Sequence, residues 1–295
     1  MSNKNKKVEK KKYLCLYHKY CIDGFSSAWC VWKKYKDQCE YIGVTYNSDP
    51  PDVKDRIVFI VDFSYSEKVL LQMIKDSESL IVLDHHATAK KELKGIKDKY
   101  KILNMGRSGW MIVWNYFHPK KKVHRFLELV QDYDLWCFKL GLQTKYLNAK
   151  LSDIEKTFEN YDKLCDEKYL SKIIEEGKII YEHQMKQVDR LVWRSYMHPY
   201  RIGDKVKFKI YYIQSCVLVN EIADKMLNEF KDADFVCITN YNYKYNVTKF
   251  YLRSKNDKNG KSINVGTIAK LFGGGGHKHS ASFTRKGYWI YLKED

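Results

Sequence analysis

The sequence lacks any apolar run that approaches the about 18 residues of a membrane-spanning helix. Its first residues, MSNKNKKVEKKK, contain lysines but no apolar stretch after them, which is not typical of a secretory signal. We therefore expect no membrane association and no secretion, and we predict a cytoplasmic protein. Residues 1–12 are predicted to form a disordered basic tail, with a nuclear localisation signal as the alternative.

Paired cysteines at metal-binding spacing are also missing. None of the eight cysteines belongs to a C-x-x-C pair, which argues against a zinc knuckle. Because the protein is expected to stay inside the cell, reduced thiols are the simpler interpretation of these residues.

Acidic residues are few relative to basic ones. Asp and Glu total 36 against 53 Lys and Arg, which leaves a formal net charge of +17. This balance favours a polyanionic partner such as nucleic acid, a nucleotide or polyphosphate. The lysines are scattered along the chain, however, and a bias in composition is the alternative explanation.

Strand-like apolar runs alternate with helix-like stretches over the first part of the chain. Strands are predicted at 13–17, 40–44, 57–61, 80–83 and 100–103, and helices at 24–36, 66–78 and 107–117. Such alternation indicates βαβ units, so we predict an α/β fold with a parallel sheet. Ligands of such sheets bind at the carboxyl ends of the strands.

A second, smaller α+β domain is predicted after a mainly helical stretch at 120–195. It would contain a strand over 201–214, two strands within 232–255, and a helix, glycine loop and strand over 262–283. The predicted domains are 13–190, which ends in a helical connector, and 191–295.

Carboxylates and imidazoles follow three of the predicted parallel strands. They are His18 and Asp23, then Asp62, then Asp84, His85 and His86, with Asp132 and Asp134 in a later helical stretch. Such ligands suit Mn, Fe, Mg or Zn, and two ions about 3.5–4 Å apart would promote an in-line phosphoryl displacement. Each motif alone has an ordinary structural explanation, such as helix capping. Their joint placement at one sheet edge favours a metal site.

A glycine-rich loop precedes the last predicted strand. It comprises Gly273, Gly274, Gly275 and Gly276, and His277 follows directly. Consecutive glycines allow the backbone to approach a ligand and to direct N–H groups at an anion, to which His277 would add a donor. Arg253, at the end of an earlier strand, is expected to bind a phosphate. The alternative for the glycines is a flexible loop.

Six motifs occur along nearly the whole chain from residue 13. They are HKYCIDG, VDFS, LDHH, SGWMIVWNYF, DYDLW and GGGGHKHSASF. In this order they resemble the DHH phosphoesterase family with its DHH-associated C-terminal domain, and LDHH with GGGGH is specific as a pair. The resemblance implies a hydrolase that holds two Mn²⁺ ions, with Fe²⁺, Zn²⁺ or Mg²⁺ as alternatives, and a second domain across a cleft.

The resemblance also implies a role for each matching residue. The implied metal ligands are His18, Cys21, Asp23, Asp62, His85 and Asp132, whereas Asp134 is expected to be structural. His86 would act at the scissile phosphate or leaving group, with Asp84 orienting an imidazole. The Gly273–Gly276 loop, His277 and Arg253 match the substrate-binding surface of the second domain.

Cys21 departs from the family pattern, because it stands where the family has an aspartate. Three hypotheses follow: a thiolate ligand that shifts the site toward Fe or Zn, a bystander beside a weaker site, or a degraded site. The first is favoured because the other motif residues are all present.

We predict hydrolysis of phosphodiester bonds in short oligonucleotides or dinucleotides, including cyclic ones. The alternatives are a phosphoanhydride hydrolase of the exopolyphosphatase or pyrophosphatase type, and a nucleotide-binding regulator with a weakened metal site. Tyrosines at 211, 212, 241, 243 and 245 are candidates for stacking on bases, although tyrosines in strands more often pack within a sheet. A homodimer is left open.

Overall fold

The computed structural model describes residues 11–45, 48–202, 206–255, 260, 262–276 and 278–292. Nearly all of the predicted basic tail, and His277 of the glycine loop, lie outside these residues. The described chain forms two compact units that divide between Tyr181 and Glu182. The division falls inside one long helix, so no irregular linker separates the units.

The first unit is built on a five-stranded parallel sheet, which confirms the predicted fold class. Its strands are β1 (Tyr13–His18), β2 (Cys39–Val44), β3 (Ile57–Val61), β4 (Ser79–Asp84) and β5 (Lys101–Leu103), arranged in the order β2-β1-β3-β4-β5. Tyr17 of β1 lies opposite Val61 of β3, and Val61 lies opposite Leu83 of β4. The three central strands therefore end side by side, at the edge where the polar motif residues follow.

Eight α-helices surround or follow this sheet among the described residues. They are α1 (Ile22–Tyr35), α2 (Glu67–Asp76), α3 (Ala87–Glu92), α4 (Gly109–Phe117), α5 (Arg125–Asp134), α6 (Leu142–Leu151), α7 (Phe158–Lys163) and α8 (Glu167–Val192). The predicted helices at 24–36, 66–78 and 107–117 correspond to α1, α2 and α4. No helix in the described part of the chain is both long and apolar enough to cross a membrane.

Alternating side chains of β1 supply two separate cores. Cys15 packs with Trp29 of α1 and Trp114 of α4, whose rings stack at 5.9 Å. Leu14 and its alternating neighbour Leu16 pack on the opposite face, with residues of α2 and α3. Burial on both faces is typical of a parallel sheet and holds the strand ends rigidly.

Among the described residues, the second unit contains a mixed six-stranded sheet, the end of α8 and two further α-helices. The strands are β6 (Tyr196–Ile202), β7 (Val206–Gln214), β8 (Phe235–Asn242), β9 (Val247–Arg253), β10 (Gly275–Gly276) and β11 (Ser280–Lys286), in the order β10-β11-β9-β8-β7-β6. Only β7 and β8 pair in parallel among these neighbours. Helix α9 (Val219–Glu229) joins these two strands, and α10 (Val265–Leu271) precedes the glycine loop.

One strand prediction in this unit was wrong. The segment 201–214, which we predicted as one strand, contains the end of β6 and all of β7, and the two strands pair with each other. The predicted two strands within 232–255 and the helix–loop–strand order of 262–283 are confirmed by β8, β9, α10, β10 and β11.

Candidate metal centre

The residues of the first motif, HKYCIDG, are positioned by a close contact between the end of β1 and the start of α1. Helix α1 begins at Ile22, only four residues after the last residue of β1, His18. A Cβ at Gly24 would overlap the carbonyl oxygen of His18 and lie 2.8 Å from the Cβ of His18. Glycine at position 24 therefore lets the first turn of α1, with Asp23, pack directly against the end of β1.

Asp62 lies at the middle of the site in a strained conformation. It follows β3 with a φ of +53°, a left-handed value that non-glycine residues rarely adopt. Such a conformation costs about 1–3 kcal/mol in a non-glycine residue, so the surrounding contacts must hold Asp62 in it. The side chain is fully buried, and a Cβ at Gly109 would lie 2.7 Å from the Asp62 Oδ1 atom. Gly109 thus leaves room for the Asp62 carboxylate beside the first residue of α4.

Asp23 connects α1 to the N-terminus of α4. Its Oδ2 atom accepts a hydrogen bond from the Gly109 N–H at 2.7 Å, and its Oδ1 atom accepts one from the Trp110 N–H at 2.9 Å. These backbone donors would otherwise lack partners at the start of the helix, so the carboxylate acts as a cap supplied by a distant part of the chain. Its position is held by these two bonds.

The residues of the LDHH motif have different surroundings. The Asp84 Oδ1 atom accepts hydrogen bonds from the backbone N–H groups of His85 and His86, and it lies 2.7 Å from His86 Nδ1. The His85 Nε2 atom instead lies 3.1 Å from Asp62 Oδ1, 3.5 Å from Asp23 Oδ2 and 3.7 Å from Asp134 Oδ2. Asp84 therefore positions His86, while His85 lies among the other carboxylates.

Potential metal-ligating atoms form three groups that overlap. The groups are His18, Cys21 and Asp62; Asp62, His85 and His86; and Asp23, His85 and Asp134, and within each group the donor atoms lie within 4.8 Å of one another. Asp62 and His85 belong to two groups each, so the three groups form one continuous site. Carboxylate, imidazole and thiol donors of this kind suit a divalent transition metal.

Buried oxygens in the site support a cation. Neither Asp62 oxygen, nor the Asp134 Oδ2 atom, accepts a well-aligned hydrogen bond from any described residue, although all three are buried. The nearest donors to Asp62 are the imidazoles of His85 and His18, at 3.1 and 3.7 Å, and neither is well aligned with a carboxylate oxygen. A divalent ion would satisfy these oxygens more fully than the imidazoles do. The residues present therefore fit a divalent ion.

The electrostatics of the site reflect crowding of negative charge. Burial opposes protonation of His85, but the contact with Asp62 and the charges of Asp134 and Asp23 raise its pKa to about 10. Burial and the charge of Asp62 raise the pKa of Asp134 to about 6, although neighbouring His85 opposes this shift. Burial and the charges of Asp62 and Asp23 likewise raise the pKa of the Cys21 thiol. A bound cation would oppose these effects of the carboxylates.

The structure places Asp134, and not the predicted ligand Asp132, beside the other candidate metal ligands. Asp132 accepts hydrogen bonds from the backbone N–H groups of Lys139 and Leu140 at 2.8 and 2.9 Å, and from Thr144 Oγ1 at 2.6 Å. It thereby fixes the connection between α5 and α6 and belongs to none of the three groups. Asp134, two residues later, faces His85 instead, because residues i and i+2 of a helix point in different directions.

The predicted substrate-binding residues lie in the second unit. Arg253, at the end of β9, donates to the Leu252 carbonyl at 3.0 Å and to Asn220 Oδ1 at 2.9 Å, and burial lowers its pKa. Among the glycines, a Cβ at Gly274 or Gly276 would overlap the backbone of β11. The loop is thus a shaped edge of the sheet. Gly275, by contrast, faces open space.

Comparisons with solved structures identify the fold. The DHH domain of PF0399, which is named as a member of a family of ribosomal proteins, is 12% identical with a TM-score of 0.59, over 92% of this chain and 82% of that one. The pGpG-specific phosphodiesterase PggH from Vibrio cholerae is 14% identical with a TM-score of 0.51, over 93% and 94%. RecJ from Thermus thermophilus, solved with Mn²⁺, is 11% identical with a TM-score of 0.50, over 92% of this chain but 49% of RecJ. The chain therefore has the DHH-domain fold.

Sequence comparison gives a separate result. No protein-family model matches the chain. A protein of Acanthamoeba polyphaga mimivirus, uncharacterized protein R106, is 30% identical over 288 residues, which cover 92% of this chain and 67% of R106. On that identity and coverage, the chain belongs to the family of the mimivirus protein R106.

Proposed function

We propose that the first unit is a metal-dependent phosphohydrolase that cleaves phosphodiester bonds of short oligonucleotides or dinucleotides, cyclic dinucleotides included. The observation that carries this proposal is the buried Asp62 carboxylate, whose oxygens lack well-aligned hydrogen bonds from described residues. It lies between the donor group of His18 and Cys21 and that of His85 and His86. A cation explains this carboxylate better than a purely structural role does.

The proposed ligand set follows from the three donor groups. It contains His18, Cys21, Asp23, Asp62, His85 and Asp134, so Asp134 replaces Asp132. Mn²⁺ is the proposed occupant because carboxylates and imidazoles dominate, and the Cys21 thiol keeps Fe²⁺ and Zn²⁺ as alternatives. When bound, divalent ions at this centre supply Lewis-acid stabilisation of charge on phosphoryl oxygens.

His86 and Asp84 are proposed to move the proton of the reaction. The contact of Asp84 with His86 Nδ1 fixes the orientation of the ring and holds a proton on Nδ1. The Nε2 atom is then the one that exchanges a proton with the substrate. Burial opposes a charged ring, but the hydrogen bond and charge of Asp84 raise the pKa of His86. His86 can therefore carry a second proton and donate it to the leaving oxygen as the P–O bond to that oxygen breaks. The new P–O bond forms to the attacking water, whose proton passes to the solvent.

Short nucleotide substrates are proposed on two grounds. The fold is shared with a chain named as a pGpG-specific phosphodiesterase and with RecJ, which was solved with Mn²⁺. In the second unit, the N–H groups of Gly273 and Gly274 already bond the carbonyls of Lys270 and Ala269. The candidate donors are therefore the N–H groups of Gly275 and Gly276 and the guanidinium group of Arg253. We propose that these donors bind a substrate phosphate.

A substrate panel with Mn²⁺ tests the proposal. The panel contains a linear dinucleotide, a cyclic dinucleotide, longer single-stranded RNA and DNA, a nucleoside 3′,5′-bisphosphate, pyrophosphate and polyphosphate. His86→Gln is expected to lose turnover of the preferred substrate. The control is His183→Gln, an exposed histidine of α8. Preference for pyrophosphate or polyphosphate would replace the phosphodiesterase proposal, and equal activity of both variants would remove His86 from the mechanism.

A nucleotide-binding regulator is the second candidate, and Cys21 favours it. The raised pKa of this thiol disfavours the thiolate unless a cation binds nearby. Thermal stabilisation by a nucleotide, without turnover and without Mn²⁺ binding, would support the regulator over the hydrolase.

A further inference from the structure

Exposed tyrosines form a cluster in the second unit. The rings of Tyr241 and Tyr243 lie 4.6 Å apart, and those of Tyr241 and Tyr288 lie 5.1 Å apart. Tyr243 is 84% exposed and Tyr288 is 58% exposed, so neither is part of the core. Rings held together yet open to water offer flat surfaces for an aromatic ligand.

The other candidate tyrosines behave differently. Tyr211 stacks on Phe230 of the protein at 4.0 Å, and Tyr212 is fully buried. For Tyr211 and Tyr212, therefore, the alternative of packing within the protein holds, and neither is a candidate for stacking on bases. The exposed cluster, at the end of β8 and after β11, is not explained by packing.

A cavity adjoins the tyrosine cluster. It has a volume of about 310 Å³ and is lined by Leu191, Arg194, Tyr196, Ile213, Gln214 and Ile290. The Gln214 Nε2 atom donates to the Tyr288 hydroxyl at 3.1 Å, which connects the cavity to the cluster. Arg194 is exposed and forms no salt bridge with any residue in the described ranges. The cavity thus combines an apolar wall with an amide and a guanidinium group.

Basic residues lie beside this surface. Lys244 is in the turn between β8 and β9, Lys249 pairs with Asn240 next to Tyr241, and Arg285 and Lys286 pair with Thr248 and Val247 at the same end of the sheet. Aromatic side chains among basic residues bind single-stranded nucleic acid by stacking on bases and by attracting phosphates. A duplex keeps its bases stacked inside and cannot use the tyrosine rings.

We propose that Tyr241, Tyr243, Tyr288 and the adjoining cavity form a binding surface for single-stranded nucleic acid. Bases stack on the tyrosines, the Gln214 side chain bonds a base edge, and Arg194 contacts a phosphate. This surface belongs to the second unit, whereas the candidate metal ligands belong to the first. It goes beyond hydrolysis of a dinucleotide, because it gives the second unit its own affinity for a longer strand.

Fluorescence anisotropy with EDTA present tests the proposal without any hydrolysis. The probes are a labelled 12-nucleotide single-stranded RNA and a duplex of the same length, with unlabelled polyphosphate as a competitor. Stacking of one base on an aromatic side chain increases the binding affinity by a factor of about 5–150. We therefore expect Tyr243→Ala and Tyr288→Ala each to weaken single-strand binding at least fivefold, while duplex binding changes little. Arg194→Gln should weaken binding. It should also reduce the slope of the logarithm of the binding constant against the logarithm of the salt concentration by about one.

Tyr116→Ala is the matched control, because Tyr116 is a 44% exposed tyrosine of α4 in the first unit. Unchanged affinity in Tyr243→Ala and Tyr288→Ala would overturn the proposal. Equal binding of duplex and single strand, with full displacement by polyphosphate, would overturn it as well, since attraction by charge alone would then suffice. Because the assay excludes turnover, its failure leaves the proposed hydrolase to be judged separately.

Discussion

Two aspartates of one helix provide the sharpest test of the metal centre. We compare Asp134→Asn with Asp132→Asn, which make the same chemical change two residues apart in α5. Asp132 accepts three hydrogen bonds, whereas the Asp134 Oδ2 atom is buried beside His85 without a well-aligned donor among the described residues. The first variant should therefore affect metal binding and the second should affect folding.

The expected magnitudes follow from these contacts. A hydrogen bond to a charged group contributes about 1.5–3 kcal/mol, and the amide of Asn cannot accept bonds at both positions. Asp132→Asn should therefore lower the free energy of unfolding by about 2–4 kcal/mol. Asp134→Asn removes a carboxylate whose pKa is raised to about 6 by burial and the charge of Asp62, despite opposition from His85. Without metal at pH 8, it should leave the stability equal or higher, because the folded protein no longer holds that ionised group.

The assays are urea unfolding in EDTA for stability and calorimetric titration of Mn²⁺ for affinity. Asp134→Asn should weaken Mn²⁺ binding at least about tenfold, because the loss of a residue that only hydrogen-bonds a metal ligand already weakens metal binding by that factor. Asp132→Asn should retain Mn²⁺ affinity at temperatures where it remains folded. The reasoning is refuted if Asp134→Asn binds Mn²⁺ normally, or if Asp132→Asn is stable and fails to bind it.

Three further predictions concern the same centre. Cys21→Asp should keep or raise Mn²⁺-dependent hydrolysis, because a carboxylate is the harder ligand; complete loss in a folded variant, measured by turnover, would show a specific thiol role. Gly109→Ala should lower the free energy of unfolding by about 1–3 kcal/mol, because its Cβ would crowd Asp62 at 2.7 Å, whereas Gly275→Ala meets no atom within 4 Å and should change it little. Mn²⁺ binding should release protons, because the pKa of His85, raised to about 10 by nearby carboxylates against the effect of burial, keeps this ligand protonated at pH 7. Its affinity should thus rise with pH between 6 and 9, and equal heats of binding in buffers of different ionisation enthalpy would contradict this.

Much of the first unit could be predicted from the chain itself. The apolar runs that became β1, β3 and β4 are short, continuous and followed by polar residues, as buried parallel strands are. Since parallel strands end at one edge, His18, Asp62 and His85 were expected to lie together. The second unit was predicted less well, because the single strand predicted over 201–214 overlooked Gly203 and Asp204, a pair that is typical of the turn between two paired strands.

The sequence by itself determined which side chains lie at the carboxyl edge of the sheet. Parallel strands of a βαβ chain all end at that edge, so the carboxylates and imidazoles that follow them lie on one side. Only the tertiary structure decided which groups meet. The rotation of α5, and the turn that Asp132 caps, direct Asp134 toward His85. The left-handed backbone of Asp62 and the space beside Gly109 depend on contacts between distant segments. Exposure of Tyr243 and Tyr288 likewise depends on which strands cover one another, and residue type alone does not encode that.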